Sequence, residues 1–228
     1  MKMKIVIAGA GRGGLNLAVH LQKQGHSVLI LERDPVVARH ATEAYGIVAL
    51  TGDATDAATL RQAEPDRADA MLAMLHRDAD NLGVALLARA LGAKRLIVRM
   101  RDPAYRSVYE EVGIRQILSE TEILVGALAT AIELEAVRHS MVLGSGEAIA
   151  FELTIPERAW VVGQSVSEIA AHERFPRSCV VAGMSKGGII QAPRGASVVE
   201  GSMDLLLVSA REDLPAVVNF FLRDRESR

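Results

Sequence analysis

The sequence predicts a doubly wound α/β fold followed by a smaller α+β unit, and three observations carry that expectation. Short β-rich apolar runs alternate with helical patterns up to about residue 118. A glycine loop joins the first apolar run to the first helix. Beyond about residue 140 the grammar changes to short strands separated by turns.

Lys4-Ile5-Val6-Ile7-Ala8 reads as a buried strand that runs straight into Gly9-Ala10-Gly11-Arg12-Gly13-Gly14 and then into a helix over 15–24. The second strand, 27–31, ends at Glu32, and Pro35 suits the first turn of a helix over 35–45. A third strand over 46–50 leads into Gly52-Asp53-Ala54-Thr55 and a helix over 57–63. Strands at 70–75, 95–99 and 116–118 alternate with helices at 80–91 and 103–112. Gly25, Gly46, Gly92 and Gly113 fall just past four of the helices, where a left-handed cap is wanted. Six strands separated by helices mean a parallel sheet, and the glycine loop at its start marks a Rossmann nucleotide-binding domain over 1–140.

Ser119-Glu120-Thr121-Glu122 offers a capping box for a long helix running to about His139. That helix carries Ile123, Leu124, Ala127, Leu128, Ala131 and Ile132 at spacings of three and four, so one face is apolar. Its own sheet or a second subunit can cover it. After Gly144-Ser145-Gly146, strands are expected at 147–155, 160–163, 179–184, 188–191 and 203–209. Short helices near 165–171 and 214–222 complete a small α+β domain over 141–228, with a charged, fraying tail at 223–228.

Half of the 228 residues are hydrophobic and 24% are charged, enough to bury a sizeable core. The longest apolar stretch, 123–132, falls short of the roughly 20 residues that span a bilayer, so no direct membrane insertion is expected. The apolar start is too short and too glycine-interrupted for a secretory signal, which points to the cytoplasm. Cys179 is the sole cysteine and excludes an internal disulfide or a cysteine-built metal site. A net charge of −2 with dispersed Lys and Arg gives no footprint for nucleic acid.

The glycine loop carries the chemistry. Gly9 permits the tight turn, Gly11 lets backbone N–H groups approach a pyrophosphate, and Gly14 lets the helix pack close to the strand. The helix start then presents unpaired N–H groups and a positive dipole end to an anion. Glu32, about twenty residues on, is placed to accept hydrogen bonds from both hydroxyls of an adenosine ribose. It would repel a 2′-phosphate, while the neighbouring Arg33 would attract one. Asp53 can bond an adenine amine or serve as a turn or helix-cap aspartate. Arg12 inside the loop adds a cation that can count phosphates, or it is a solvated arginine at the helix start. His76 follows the fourth strand at the ligand edge and is either a cofactor contact or a plain loop histidine.

A dehydrogenase would need a proton donor or base near the nicotinamide. His20, His26, His40, His139 and His172 sit in helical patterns or turns, none forms a metal-spaced pair, and no nucleophilic triad stands out. A binding protein is therefore preferred over a small NAD-dependent oxidoreductase, and no catalytic residue is assigned. A third reading puts a second small ligand, such as a cyclic dinucleotide, on the C-terminal unit with Lys186 as a basic contact.

These residues resemble the RCK family, also called KTN, whose members regulate potassium channels and Trk/Ktr-type potassium uptake systems. The resemblance rests on Gly9-x-Gly11-Arg12-x-Gly14, Gly25-His26-x-Val28, Glu32-Arg33-Asp34, Gly52-Asp53-Ala54-Thr55, Asp78-Ala79-Asp80-Asn81 and Arg99-Met100-Arg101-Asp102-Pro103-x-Tyr105. The second half is similar to the family's C-terminal module through Val162-Gly163-Gln164-Ser165-Val166, Val180-Val181-Ala182-Gly183-Met184, Gly187-Gly188-Ile189-Ile190 and 200–208. Departures are Ser185-Lys186 where an arginine often precedes the turn glycine, Ser119 for a common proline, and Leu75-His76 where a threonine or serine is usual.

The resemblance implies a TrkA-like cytosolic subunit that binds NAD(H) or ATP/ADP through Gly9, Gly11, Arg12, Gly13, Gly14, Glu32, Arg33, Asp53, Ala54, His76, Asp78, Asn81 and Arg99. It further implies that Glu120 helps hold a divalent cation with ATP. The chain would form a dimer through the helix after the sixth strand, and potentially an octameric ring. It would lie at the inner face of the cell membrane, attached to a membrane-embedded potassium transporter or channel subunit.

Overall fold

The computed structural model describes residues 2–143 and 147–225, so Gly144-Ser145-Gly146 and the last three residues of the charged tail lie outside the described residues. The chain divides into two compact units, Met1–Glu122 and Ile123–Arg228, whereas the change of sequence grammar lies near residue 140. Among the described residues no helix is long and apolar enough to cross a membrane.

The first unit holds strands β1 (Lys4–Ala8), β2 (Ser27–Glu32), β3 (Val48–Thr51), β4 (Ala70–Ala73), β5 (Leu96–Met100) and β6 (Gln116–Ser119). They form one parallel sheet in the order β3-β2-β1-β4-β5-β6, the doubly wound arrangement the alternation predicts. The connecting helices are α1 (Arg12–Lys23), α2 (Pro35–Tyr45), α3 (Ala57–Gln62), α4 (Asp78–Ala90) and α5 (Arg106–Glu111).

Because side chains alternate along a strand, β1 feeds two cores. Ile5 and Ile7 pack with Ala18 of α1 and Ala41 of α2, while Val6 and Ala8 pack with Leu60 of α3, Val84 and Ala88 of α4, and Tyr109 of α5. Both faces of the sheet are thereby covered, and the strands can be apolar at every position. The turn glycines after α1, α2, α4 and α5 all take positive φ, as at Gly46, where φ is 66° and the N–H closes the helix on Thr42.

Helix α6 (Glu120–Glu133) begins where Ser119 Oγ accepts the Glu122 N–H at 3.3 Å, but the Glu122 carboxylate turns to Arg106 at 2.5 Å, so only half of the expected capping box forms. The helix expected to reach His139 ends at Glu133. Residues Val137–Leu143 are instead strand β7, which pairs antiparallel with β8 (Ala148–Thr154). Pairing with β8 decides it rather than alternation: the register shifts between Val137 and His139, Val137 is buried, Met141 is exposed, and His139 Nδ1 lies 2.8 Å from Glu152 Oε2 across the pair. Along the α6 stripe, Ile123, Leu124, Leu128 and Ile132 are 63, 56, 53 and 82% exposed.

The second unit adds β9 (Val180–Lys186), β10 (Ile189–Gln191) and β11 (Asp204–Ala210), giving an antiparallel sheet in the order β10-β9-β11-β8-β7, with α7 (Val166–Ala170) and α8 (Leu214–Leu222). Its core gathers Phe151, Leu153, Val161, Ile169, Leu205, Leu207, Val217 and Phe221. Residues 160–163, expected as a strand, form a turn. Gly163 there takes φ 86° and gives its N–H to Val199, while the Val162 N–H closes on Ala159 at 3.1 Å. Two valines made that stretch look extended, yet Val161 plugs the core from a turn. The Trp160 indole donates to the Phe220 carbonyl, and its ring packs at a tilt against His172 with centroids 4.7 Å apart, beside the core. Ser165 and Glu168 form a full capping box on α7.

Candidate functional site

The candidate site lies at the carboxyl edge of the parallel sheet, built by the loops that follow β1, β2, β3 and β4. Gly9 has φ 107°, and a Cβ there would meet the Met74 carbonyl oxygen at 2.9 Å and Leu75 Cδ2 at 3.2 Å. A Cβ on Gly14 would sit 2.0 Å from the Gly9 carbonyl oxygen. Those two glycines serve the fold itself. Gly11 differs: a Cβ would meet nothing within 4 Å, so its bareness leaves room above the loop. On Gly13 a Cβ would make an ordinary 3.5 Å contact with Met74 Cε.

The first bond of α1 joins the Leu15 N–H to the Gly11 carbonyl at 2.9 Å. The N–H groups of Arg12, Gly13 and Gly14 therefore stand ahead of the helical ladder, at its positive end. Arg12 is exposed beside them. This is a cradle with space, donors and positive potential, which fits the pyrophosphate of a nucleotide.

Glu32 is tied in from three sides. Its Oε2 accepts the Ala10 N–H at 2.8 Å, its Oε1 accepts the Asp34 N–H at 3.0 Å, and its carbonyl accepts the Gly52 N–H at 2.9 Å. The acid thus holds the glycine loop, the start of α2 and the loop after β3 in one place. Each carboxylate oxygen has two lone pairs, so both retain an acceptor position for a ribose hydroxyl.

Asp53 takes the turn role. Its Oδ1 accepts the Thr55 N–H at 2.8 Å and the Thr55 hydroxyl at 2.7 Å, bonds that hold its carboxyl below the usual range, helped weakly by Arg33. Asp56, not Asp53, caps α3. Arg33 is exposed, and the Ala54 side chain is buried in the core, leaving only its backbone toward the edge.

Two expected ligand contacts are committed to the scaffold. Asn81 is fully buried: its Oδ1 accepts the Leu75 N–H at 2.7 Å and its Nδ2 donates to the carbonyls of Leu75 and Arg99 at 3.2 and 3.0 Å. Asp78 accepts the Arg101 and Asp102 N–H groups at 3.0 and 2.9 Å. Both strap the loop after β4 to the end of β5. The Tyr109 hydroxyl donates to the Asp78 carbonyl at 2.9 Å, and burial, with the Asp78 charge second, raises that phenol well above its ordinary value.

Arg99 donates Nε to Glu120 Oε2 at 2.8 Å and Nη2 to the same oxygen, and Arg101 Nε lies 3.6 Å from it. Arg101 Nη1 also lies 3.2 Å from both ring nitrogens of His76. Glu120 meets two guanidiniums, and among the described residues no three His, Cys, Asp or Glu side chains gather to hold a metal. That donor set does not fit a divalent cation. Arg101 is legible in the sequence only as part of a motif; it follows the end of β5, and the pairing of β5 with β6 brings Arg99 and Arg101 to the Glu120 carboxylate. Lys186, weighed for a second ligand, is paired with Glu200, which raises its ammonium pKa.

The family model described as the TrkA-N domain matches residues 5–120. A "Trk system potassium uptake protein TrkA homolog" of Archaeoglobus fulgidus is 30% identical over 223 residues, covering 96% of this chain and 50% of its own length. One of the same description from Methanothermobacter thermautotrophicus is 28% identical over 198 residues, covering 87% and 89%. The chain spans about half the length of the first of these relatives. The solved structure titled "GsuK channel bound to NAD" aligns over 100% of this chain and 41% of its own, with TM-score 0.67 at 18% identity, which shows a shared fold. Since the matched region runs from β1 through the first residue of α6 and so contains the glycine cradle, Glu32 and the Arg99–Glu120 pair, the chain belongs to the TrkA-N family of RCK (KTN) proteins.

Proposed function

We propose that this chain is a cytosolic nucleotide-binding regulatory subunit that gates a membrane-embedded potassium transporter or channel through a ligand-dependent change of its dimer or ring geometry. The observation that carries the reading is the open space over Gly11 at the positive end of α1, with Glu32 fixed beside it. NAD(H) or ATP/ADP is the ligand, with pyrophosphate on the cradle, Arg12 on the phosphates and ribose on Glu32. Arg33, Asp53 and His76 line the edge, while Asn81 and Asp78 hold its loops. The exposed stripe of α6 is the dimer surface, and the potassium-uptake relatives supply the partner class.

Gating needs no bond-making. A nucleotide that fits one dimer geometry better than another shifts the population by its differential affinity, about 1.4 kcal/mol for each factor of ten. Three histidines hold structural contacts: His26 accepts the Met3 N–H, His139 meets Glu152, and His172 packs at a tilt against Trp160. Mass spectrometry of the nucleotide that co-purifies, followed by exchange of that nucleotide under small-angle scattering, tests the reading. A changed oligomer profile supports it; nucleotide-dependent hydride transfer by the purified protein would overturn it in favour of an oxidoreductase.

A further inference from the structure

The charged side chains at the start of α6 form one network within the first unit. Glu120 uses a single oxygen, Oε2, for Arg99 and Arg101, and the three side chains are 49, 24 and 43% exposed in that order. Arg101 reaches the other way as well, to His76, which follows the Leu75 side chain that borders Gly9. Arg101 therefore bridges the wall of the glycine cradle and the first residue of α6.

Its backbone is fixed. The N–H goes to Asp78 Oδ1 at 3.0 Å, and the carbonyl accepts the Thr121 hydroxyl at 2.6 Å. Only the side chain is free to change partners. A guanidinium offers five donors in a planar fork, and phosphate, with more acceptor oxygens and more charge, is a stronger partner than one carboxylate oxygen at 3.6 Å.

Resting on the nucleotide reading above, we propose that Glu120 is the internal anion of the pocket: it occupies Arg101 until the phosphates of a bound nucleotide displace it. Displacement leaves Glu120 on Arg99 alone and loosens one of the ties on the first turn of α6. The helix whose apolar stripe is exposed is thus the element that feels the ligand's charge. A ligand with more phosphate charge is the better competitor, and no divalent cation is required.

Calorimetric titration of the full chain with ATP and ADP, in magnesium and in EDTA, tests this with Glu120→Gln, Arg101→Gln, the double variant and Glu32→Ala. Gln at 120 keeps an acceptor for Arg99 while removing the competing charge. ATP should bind Glu120→Gln about two- to fivefold more tightly, the scale of one partly exposed ion pair, with or without magnesium. The double variant should bind no more tightly than Arg101→Gln. Unchanged or weaker ATP binding by Glu120→Gln overturns the inference, and weakening seen only in magnesium makes Glu120 a cation ligand instead. Should Glu32→Ala bind as well as the unaltered chain, or the unaltered chain bind neither nucleotide, the pocket itself fails and this inference with it. Loss at Glu32→Ala without tightening at Glu120→Gln sinks the inference alone.

Discussion

The Glu32 carboxylate accepts the Ala10 N–H at 2.8 Å, so the acid assigned to the ribose also pins the phosphate loop. On the nucleotide reading, one side chain would couple ligand contact to loop geometry. Glu32→Ala is therefore expected to lower stability by about 1–2 kcal/mol, through loss of the Ala10 and Asp34 bonds, and to weaken nucleotide binding by at least tenfold. Urea unfolding and calorimetry on the same preparation check both. Unaltered affinity with lowered stability would leave Glu32 as a scaffold residue only.

Gly11 and Gly14 separate the ligand's demands from the fold's. Gly14→Ala drives a Cβ against the Gly9 carbonyl, 2.0 Å away, and should cost at least about 3 kcal/mol or prevent folding. Gly11→Ala meets nothing within 4 Å, so its thermal unfolding should stay within about 1 kcal/mol of the unaltered chain while nucleotide affinity falls at least tenfold. Retained affinity in a folded Gly11→Ala protein would remove the pyrophosphate from this loop.

The α6 stripe should mediate self-association. Leu128 is 53% exposed, so Leu128→Glu should leave the fold's stability within about 0.5 kcal/mol. Light scattering should report a dimer or larger assembly for the unaltered chain and a smaller species for the variant. Equal masses for both would place the interface elsewhere.

Cys179 gives a pH dependence in the alkaline range. Burial, with the Asp213 charge second, pushes its thiol up to about 12 in the folded chain, whereas an unfolded thiol ionises near about 8.5. Above that lower value the unfolded state sheds a proton that the folded state keeps, so stability falls as pH rises. Urea midpoints between pH 8 and pH 10.5 should decline less for Cys179→Ala than for the unaltered chain. In the folded protein a thiol reagent should label Cys179 far more slowly than in urea.

Short continuous apolar runs, turn glycines and the glycine loop determined the six-stranded sheet, its helices and the backbone of the cradle from sequence alone. Those features are local: φ preference, short apolar runs and helix caps act over a few residues. The end of α6 was harder, because β7 exists through pairing with β8 rather than through its own pattern. The side chains at the ligand edge were decided only by tertiary structure. Asn81 is drawn to Arg99, 18 residues away, and Glu120 to the same arginine across 21. Polar groups bond whatever folding brings within reach, and that neighbour is set by sheet order rather than by spacing. So Asn81 and Asp78 became scaffold, Glu120 became a counter-ion, and Gly11 with the head of α1 was left open for a ligand.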